Sequence, residues 1–468
     1  MKSFQSPIAA PRNLGNCVAW LWPALLLTVP VTSLTLLVSA PGQVRPLSGV
    51  IAVIALPCAL TVLWRTGGWR SPALLAIVGV VLAALASGVP LLIYPPAGED
   101  AALVRGLVLK AAASLLAGLA TYLLAAAALT PRHGEDPASR LHQTLAWLLT
   151  ALAGSVLLAL IQVLSLGPFA AWRDVVVAIS GCFSAGYTDS HAAPFVGRGH
   201  GLAFEPSYLA SQLILLALPL GAFALAVGRF RLGAIGLFLG VAGVWVTGSR
   251  AGIASALLIV ALAVGLLAFQ RQRRVALIAV TLTALACGVG WSLHRGNAYV
   301  TAMVVAPKAK LNGQSGDVTA YAMARGFGPR LACAEAALLV ARDHPWTGCG
   351  LGLLPLAMGP HLPMWAIQEE YGEVRAMYER SDGTLPKPFA MLTRLPGEFG
   401  GLGLVAATVA IILQIPWRAL RGPVLMLAAT GLLALLLDSL FMASFALPGP
   451  WILLAALAAW AKPSLIPR

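Results

Sequence analysis

Arg198 and Glu205 lie seven residues apart in the stretch Val196-Gly197-Arg198-Gly199-His200-Gly201-Leu202-Ala203-Phe204-Glu205-Pro206-Ser207-Tyr208. The stretch is broken by glycines and runs straight into Leu209 to Val227, an apolar segment long enough to cross a bilayer. Charge at the lip of a membrane helix is costly, so its default reading is functional. Pro206 suits the first position of a helix, and Glu205 beside it meets the positive end of the helix dipole. Arg250 lies in Val246-Thr247-Gly248-Ser249-Arg250-Ala251-Gly252, a tight turn between two apolar segments. Ser249 is a natural N-cap there, so backbone N–H groups and a guanidinium point the same way, a ready cradle for a phosphate. Arg394 has Glu398 four residues on, the separation that puts both on one helical face. The three arginines are expected to share one anion site, which only the fold can assemble. Each also has a plainer reading: headgroup snorkelling for Arg198, ordinary capping for the Ser249-Arg250 turn, and a packing ion pair for Arg394 with Glu398.

The elements that must position these residues are membrane helices. Of 468 residues, 59% are hydrophobic and 10% charged, against about 25% charged in a soluble domain. The fold class is therefore an all-α polytopic membrane protein. A span needs about 20 apolar residues, and twelve segments qualify: 17–38, 46–64, 72–94, 101–129, 144–166, 203–227, 231–247, 250–269, 275–293, 389–414, 422–444 and 447–461. The net charge of +14 could suit nucleic acid, but the positive-inside rule explains its distribution better, and no nucleic-acid partner is expected. Basic residues such as Arg65, Arg70, Arg132, Arg140, Arg229, Arg231, Arg271, Arg273, Arg274, Arg418 and Arg421 fall on one side, while the short loops opposite hold only Arg45. Both termini are thus expected in the cytoplasm. The expected organisation is nine helices in 1–293, one large outer loop in 294–388, and three helices in 389–468. No cleavage site follows the first span, so it is expected to be retained.

Other residues complete the candidate set. Lys110 lies nine residues into the fourth span, about 13 Å deep at the helical rise. It is expected to face the bundle interior, with Asp438 as a weak candidate partner, while Arg105 snorkels. In the large loop, Arg330 to Arg342 has the pattern of an amphipathic helix and is expected to lie at the membrane interface. It ends at Asp343-His344-Pro345, where His344 reads more readily as a cap than as a base. Tyr208, Arg330, His344, Glu398 and Lys110 are the candidate substrate contacts. The segment 361–387, with Trp365, Tyr371, Tyr378 and Glu369, Glu370, Glu373 and Glu379, suits either sugar binding or a membrane interface. The six cysteines show no CxxC pair and no metal-ligand spacing, so neither metal nor cofactor is expected. Cys333 and Cys349 could bridge, but unpaired filler is the better reading.

Four motifs occur in order. They are Arg198-Gly199 with Glu205-Pro206-Ser207, then Thr247-Gly248-Ser249-Arg250-Ala251-Gly252, then His344-Pro345-x-x-Gly348-x-Gly350, then Arg394-x-x-x-Glu398-x-Gly400. Together with the single large loop before the last three spans, this resembles the O-antigen ligase and polymerase superfamily over residues 190 to 460. The resemblance implies a GT-C-like, inverting, metal-independent glycosyltransferase of a bacterial inner membrane. Such enzymes move a glycan from undecaprenyl pyrophosphate to a second acceptor at the periplasmic face, and a chain-length regulator is a further implied partner. The ligase branch places a histidine about nine residues before the carboxylate, where this chain has Phe389. Leu392-Thr393-Arg394-x-x-x-Glu398 and the Glu-Pro-Ser triplet look more like the polymerase branch.

Breaking a sugar–pyrophosphate bond builds negative charge on the leaving group, and fixed guanidinium groups would stabilise it. Arg198, Arg250 and Arg394 are the expected holders of the pyrophosphate. Glu205 is one candidate base, with Glu398 and His344 as alternatives. A flippase or transporter is the competing class. It should show two related halves and a midplane site, whereas this chain is asymmetric, with its notable charges at one face. Lys110 is the residue that fits a transporter best.

Overall fold

The computed structural model describes residues 12–33, 46–130, 137–165, 168, 170–183, 198–295, 328–367, 372–380 and 385–459. Among these, ten helices are long and apolar enough to cross a membrane, and two shorter apolar helices, Cys17–Thr28 and Pro448–Ala459, accompany them. In chain order the elements are α1 Arg12–Thr28, α2 Leu47–Arg65, α3 Pro72–Ile93, α4 Ala101–Leu129, α5 Pro137–Leu164, α6 Arg173–Gly181, α7 Pro206–Ala226, α8 Phe230–Thr247, α9 Arg250–Phe269 and α10 Arg273–His294. After these come α11 Gly328–Asp343, α12 Leu354–Met358, α13 Met364–Ile367, α14 Gly372–Glu379, α15 Met391–Leu413, α16 Gly422–Ser439 and α17 Pro448–Ala459. No strand occurs among the described residues, so backbone polar groups in the spans are satisfied within helices, as hydrocarbon requires.

Helix α7 is largely apolar and, but for half-buried Tyr208 in its first turn, is buried at the bundle centre. A π-helical turn, Leu213–Ala217, interrupts it. It packs on α8, α16 and α17. The close approach to α8 depends on small residues, since a Cβ at Gly221 would come within 3.1 Å of the Gly236 backbone. Contacts between helix ends sort the bundle into two faces. Tyr122 Oη donates to Gln414 Oε1 at 2.8 Å, Gln414 Nε2 donates to Ala73 O at 2.9 Å, and Gln270 Nε2 donates to Gly422 O at 3.0 Å, all on one face. The ends carrying 198–205, 245–250, 344–352, 391–398 and 441–449 lie on the other, called the site face below.

Two readings of the polar and amphipathic residues need correction. Lys110 does not face the interior: Val104, Val108 and Ala111 form the buried stripe of α4, and Lys110 lies on its exposed side. Asp438 is buried on α16. The helix α11 does not spend its apolar face on the membrane interface. Ala332, Cys333, Ala336, Ala337 and Val340 are buried with Leu354, Met358, Leu362, Ala366, Val374 and Met377, a small core of the loop's own. Cys333 and Cys349 are both free thiols, and burial pushes the Cys349 thiol up to about 12. Arg105 donates from Nε to Leu92 O at 3.1 Å, closing the end of α3. Glu369, Glu370 and Tyr371 fall outside the described residues.

The loop is joined to α15 by an exchange of hydrogen bonds. Gly400 has φ 64° and ψ −166°, which breaks the helix at that point. In an unbroken helix the N–H groups of Gly401 and Leu402 would go to the carbonyls of Gly397 and Glu398. Here Gly401 N donates to Pro345 O at 2.7 Å and Leu402 N to Trp346 O at 3.2 Å. The two released carbonyls accept instead from Cys349 N and Gly350 N, both at 2.9 Å. A Cβ at Gly400 would collide with the backbone of Trp346 and Thr347, so close approach and left-handed φ both demand glycine. Gly400→Ala is expected to cost on the order of 1–3 kcal/mol, seen as a lower melting temperature in detergent. Gly106→Ala, inside α4 where a Cβ meets nothing within 4 Å, should not lower it.

Candidate functional site

The stretch 198–205 carries two of the charges singled out in the sequence and has no helical ladder of its own. Four of its amides are taken up by side chains of α5 and of the segment that follows α1. Gln162 Oε1, near the end of α5, accepts from His200 N at 2.9 Å and Gly201 N at 2.8 Å. Ser155 Oγ accepts from Leu202 N at 3.0 Å, and Thr32 Oγ1 accepts from Phe204 N at 2.8 Å. Glycine allows this seat: a Cβ at Gly199 would run into the Ala159 backbone, and one at Gly201, whose φ is 59°, into Ser155. Helix α7 then starts at Pro206, with Glu205 in extended conformation as its N-cap.

Arg198 reaches the second motif directly. Its Nε donates to Thr247 O at 3.0 Å, and Gly199 N donates to Val246 O at 3.1 Å. The aliphatic part of Arg198 lies across Gly248, where a Cβ would meet its Cγ at 3.1 Å. Gly248, at φ 60°, ends α8, and Ser249 begins α9 by accepting from Gly252 N at 3.2 Å. The sequence expectation of an N-cap there is met. Arg250 is the first residue of α9, so two arginines from separate parts of the chain attend one turn at a helix N-terminus. The start of α9 also approaches α7, since a Cβ at Gly252 would touch Ala210 Cβ at 3.1 Å. Glu205, half-buried, accepts from Ser207 Oγ at 3.1 Å, and half-buried Tyr208 stacks on Phe204 with ring centroids 6.2 Å apart.

His294 was not singled out in the sequence, although it is a polar residue at a span end. Its Nε2 donates to Trp245 O at 2.6 Å, which ties α10 to the same turn. Gln162, Ser155 and Thr32 were missed as well. Their signal is a polar side chain inside an apolar run, which is common and weak on its own.

Arg394 does not join this group. Its Nε donates to Glu398 Oε1 at 2.9 Å, its Nη1 to Ala443 O, and its guanidinium lies 4.2 Å from the centroid of the Phe445 ring. Arg330 reaches the same turn, donating from Nη1 to Phe441 O at 3.2 Å with its guanidinium 5.0 Å over Phe389. Met391 N also donates to Met442 O at 2.8 Å. These contacts form a second cluster, which fastens α11 and α15 to the end of α16. His344 is exposed, and its part in the loop junction is a carbonyl that accepts from Gly348 N at 3.0 Å. No group of three potential metal ligands occurs among the described residues.

The fold and site together define a multi-pass helical membrane protein with cationic side chains gathered at one face of the bundle. Residues 235–381 match the family model described as O-Antigen ligase, and the match supports the O-antigen ligase/polymerase superfamily. Members of that family are glycosyltransferase-like enzymes acting on lipid-linked glycans. None of the curated proteins compared with the chain matches it. The matched segment includes Arg250, Arg330 and His344, whereas Arg198, Glu205, Arg394 and Glu398 lie outside it.

Two expected outcomes follow from this geometry. Glu398 is fully buried against Arg394, so Arg394→Ala leaves a carboxylate uncompensated at a cost of about 3–5 kcal/mol. Thermal melting should show the loss, and Arg394→Met with Glu398→Leu should recover most of it. His200 donates from Nδ1 to Ala203 O at 2.8 Å. Burial holds its pKa below the usual 6.5, opposed by hydrogen bonds to the Ala203 and Gly201 backbone. The folded chain therefore protonates at lower pH than the unfolded chain. Its contribution is full above about 6.5 and fades as pH falls below that value. Melting temperatures between about pH 8 and pH 5 should fall more steeply for the natural chain than for His200→Gln.

Proposed function

We propose that the chain polymerises undecaprenyl-pyrophosphate-linked oligosaccharide repeat units at the periplasmic face of a bacterial inner membrane, as an O-antigen or exopolysaccharide polymerase. One observation carries this reading: Arg198 lies on the turn that carries Arg250 at the N-terminus of α9. In the proposed step an acceptor hydroxyl attacks the anomeric carbon, the bond from that carbon to the pyrophosphate oxygen breaks, and the lipid pyrophosphate leaves with the electron pair. The hydroxyl proton passes to a base or to water. Charge develops on the leaving oxygens, where guanidinium groups and the positive end of a helix act best if fixed beforehand. Glu205, at the mouth of α7 and close in sequence to Tyr208, is the candidate to orient or deprotonate the acceptor. Arg394 and Arg330 serve by holding the loop and α15 in place.

The description of the matching family favours a second reading, in which the glycan is transferred to a lipid A core or a protein. The polymerase reading is preferred because the ligase-type histidine register holds Phe389, whose ring lies beneath Arg330. A gel of polysaccharide extracted from a strain lacking the chain separates the two. A polymerase leaves single repeats, a ligase leaves intact free polymer, and a flippase removes all lipid-linked glycan from the outer face.

Arg198→Ala and Arg250→Ala should leave folded protein in the membrane while reducing chain elongation by roughly 10²–10³-fold, the scale for loss of one preorganised stabilising donor. Lysine at either position should also fail substantially, because a point charge does not replace a bidentate fork. Full-length polymer from both alanine variants would refute the anion site.

A further inference from the structure

The stretch that brings Arg198 to Arg250 has little regular structure, so something else must set its position. Gln162 lies in Ala159-Leu160-Ile161-Gln162-Val163-Leu164, near the end of α5, and is buried. Its amide is used from both ends. The oxygen takes the successive N–H groups of His200 and Gly201, and the nitrogen donates to Ser180 Oγ at 2.8 Å and Gly201 O at 3.3 Å. The same nitrogen lies 3.3 Å from His200 Nε2.

These contacts fix which way the amide faces. His200 Nδ1 faces the Ala203 carbonyl, which can only accept, so Nδ1 carries the proton and the neutral ring leaves a lone pair on Nε2. That lone pair lies 3.3 Å from the Gln162 nitrogen, whose two hydrogens are shared among Ser180 Oγ, Gly201 O and this ring nitrogen. Rotating the amide by half a turn would set its NH₂ against two backbone N–H groups and its oxygen against the lone pair. The Gln162 oxygen also fills the concavity made by two successive N–H groups, a shape that otherwise attracts anions. The phosphate-binding role is thereby left to the turn beyond Arg198.

We propose that Gln162 is a positioning residue of the anion site, locking the backbone of residues 200–201 to α5 and so setting where Arg198 and Glu205 stand. The inference rests on the reading of Arg198 and Arg250 as that site. Arg198 is two residues before the locked pair and Glu205 four residues after it. A slack seat would let both charges drift, and preorganised charge loses its effect when it must be ordered anew at each turnover.

The test uses the full chain in nanodiscs, with two readouts: hydrogen exchange of the amides in 200–202, and binding of undecaprenyl pyrophosphate. Gln162→Leu should raise exchange there at least tenfold and weaken binding about tenfold, while amides of the buried segment 213–226 stay protected. Should Gln162→Leu lose the fold, Gln162→Asn, one methylene short of the same contacts, takes its place. Wild-type protection at 200–202 in Gln162→Leu would overturn the proposal. So would a loosened seat with undiminished binding, provided that Arg198→Ala does lose binding. If Arg198→Ala and Arg250→Ala both bind as the natural chain does, the anion-site reading itself fails, and the positioning role falls with it.

Discussion

A backbone N–H that leaves a helix inside a membrane bundle must find an acceptor, because hydrocarbon offers none. An unmade bond on a buried group costs about 1–3 kcal/mol. That constraint decides both irregular places on the site face. At 198–205 side chains of Gln162, Ser155 and Thr32 take four of the N–H groups, and the carbonyls of Val246 and His200 take those of Gly199 and Ala203. At 344–352 the acceptors come from the main chain of α15, which gives up two rungs of its own ladder at Gly400 and receives two from the loop. In both places the chain departs from helix only where another element supplies the missing partner.

The same accounting separates the arginines. A guanidinium has five N–H donors and no acceptor, so its surroundings state its task. Arg394 is seated on a buried carboxylate, a carbonyl and an aromatic ring, and Arg330 on a carbonyl and a ring. Both hold α11 and α15 against the turn 441–445. Arg198 lies along a glycine turn with its Nε on Thr247 O, and Arg250 opens the helix that this turn begins. A site for a diphosphate calls for cations set in place before the ligand arrives. In the proposed reading the Arg198–Arg250 turn supplies them, and Arg394, 2.9 Å from Glu398, holds the loop in place.

Much of the helical frame was legible in the sequence, because spans announce themselves by length and hydropathy. α4 and α9 fall within the limits drawn from apolar runs alone, and the Ser249 cap follows from residue type. The failures share a cause. Lys110 was placed inside the bundle by depth, but depth along a helix says nothing of which side faces the core, and the stripe Val104, Val108, Ala111 points elsewhere. The amphipathic pattern of α11 was assigned to lipid, whereas a periodic apolar face records only that something apolar covers it. Here the cover is α12 and its neighbours. The four motifs were visible as patterns, but their pairing was not. Gly348-x-Gly350 and Glu398-x-Gly400 are two sides of one backbone exchange, and a glycine's partner across space leaves no mark in one sequence.

Gln162 and His200 show how far such placement extends from the charges themselves. The orientation of one amide is set by two backbone N–H groups and agrees with the tautomer of one imidazole, which is set by a single carbonyl, Ala203 O. Each step is an ordinary hydrogen bond worth about 1 kcal/mol net. Linked in series they allow one arrangement, since reversing any member places donor against donor or lone pair against lone pair. A bundle free to tilt and slide in lipid thus acquires a fixed spacing between α5, the Arg198 loop and the mouth of α7. Fixed spacing is what charge stabilisation needs, because the benefit of a guanidinium near a developing anion depends on its being there already.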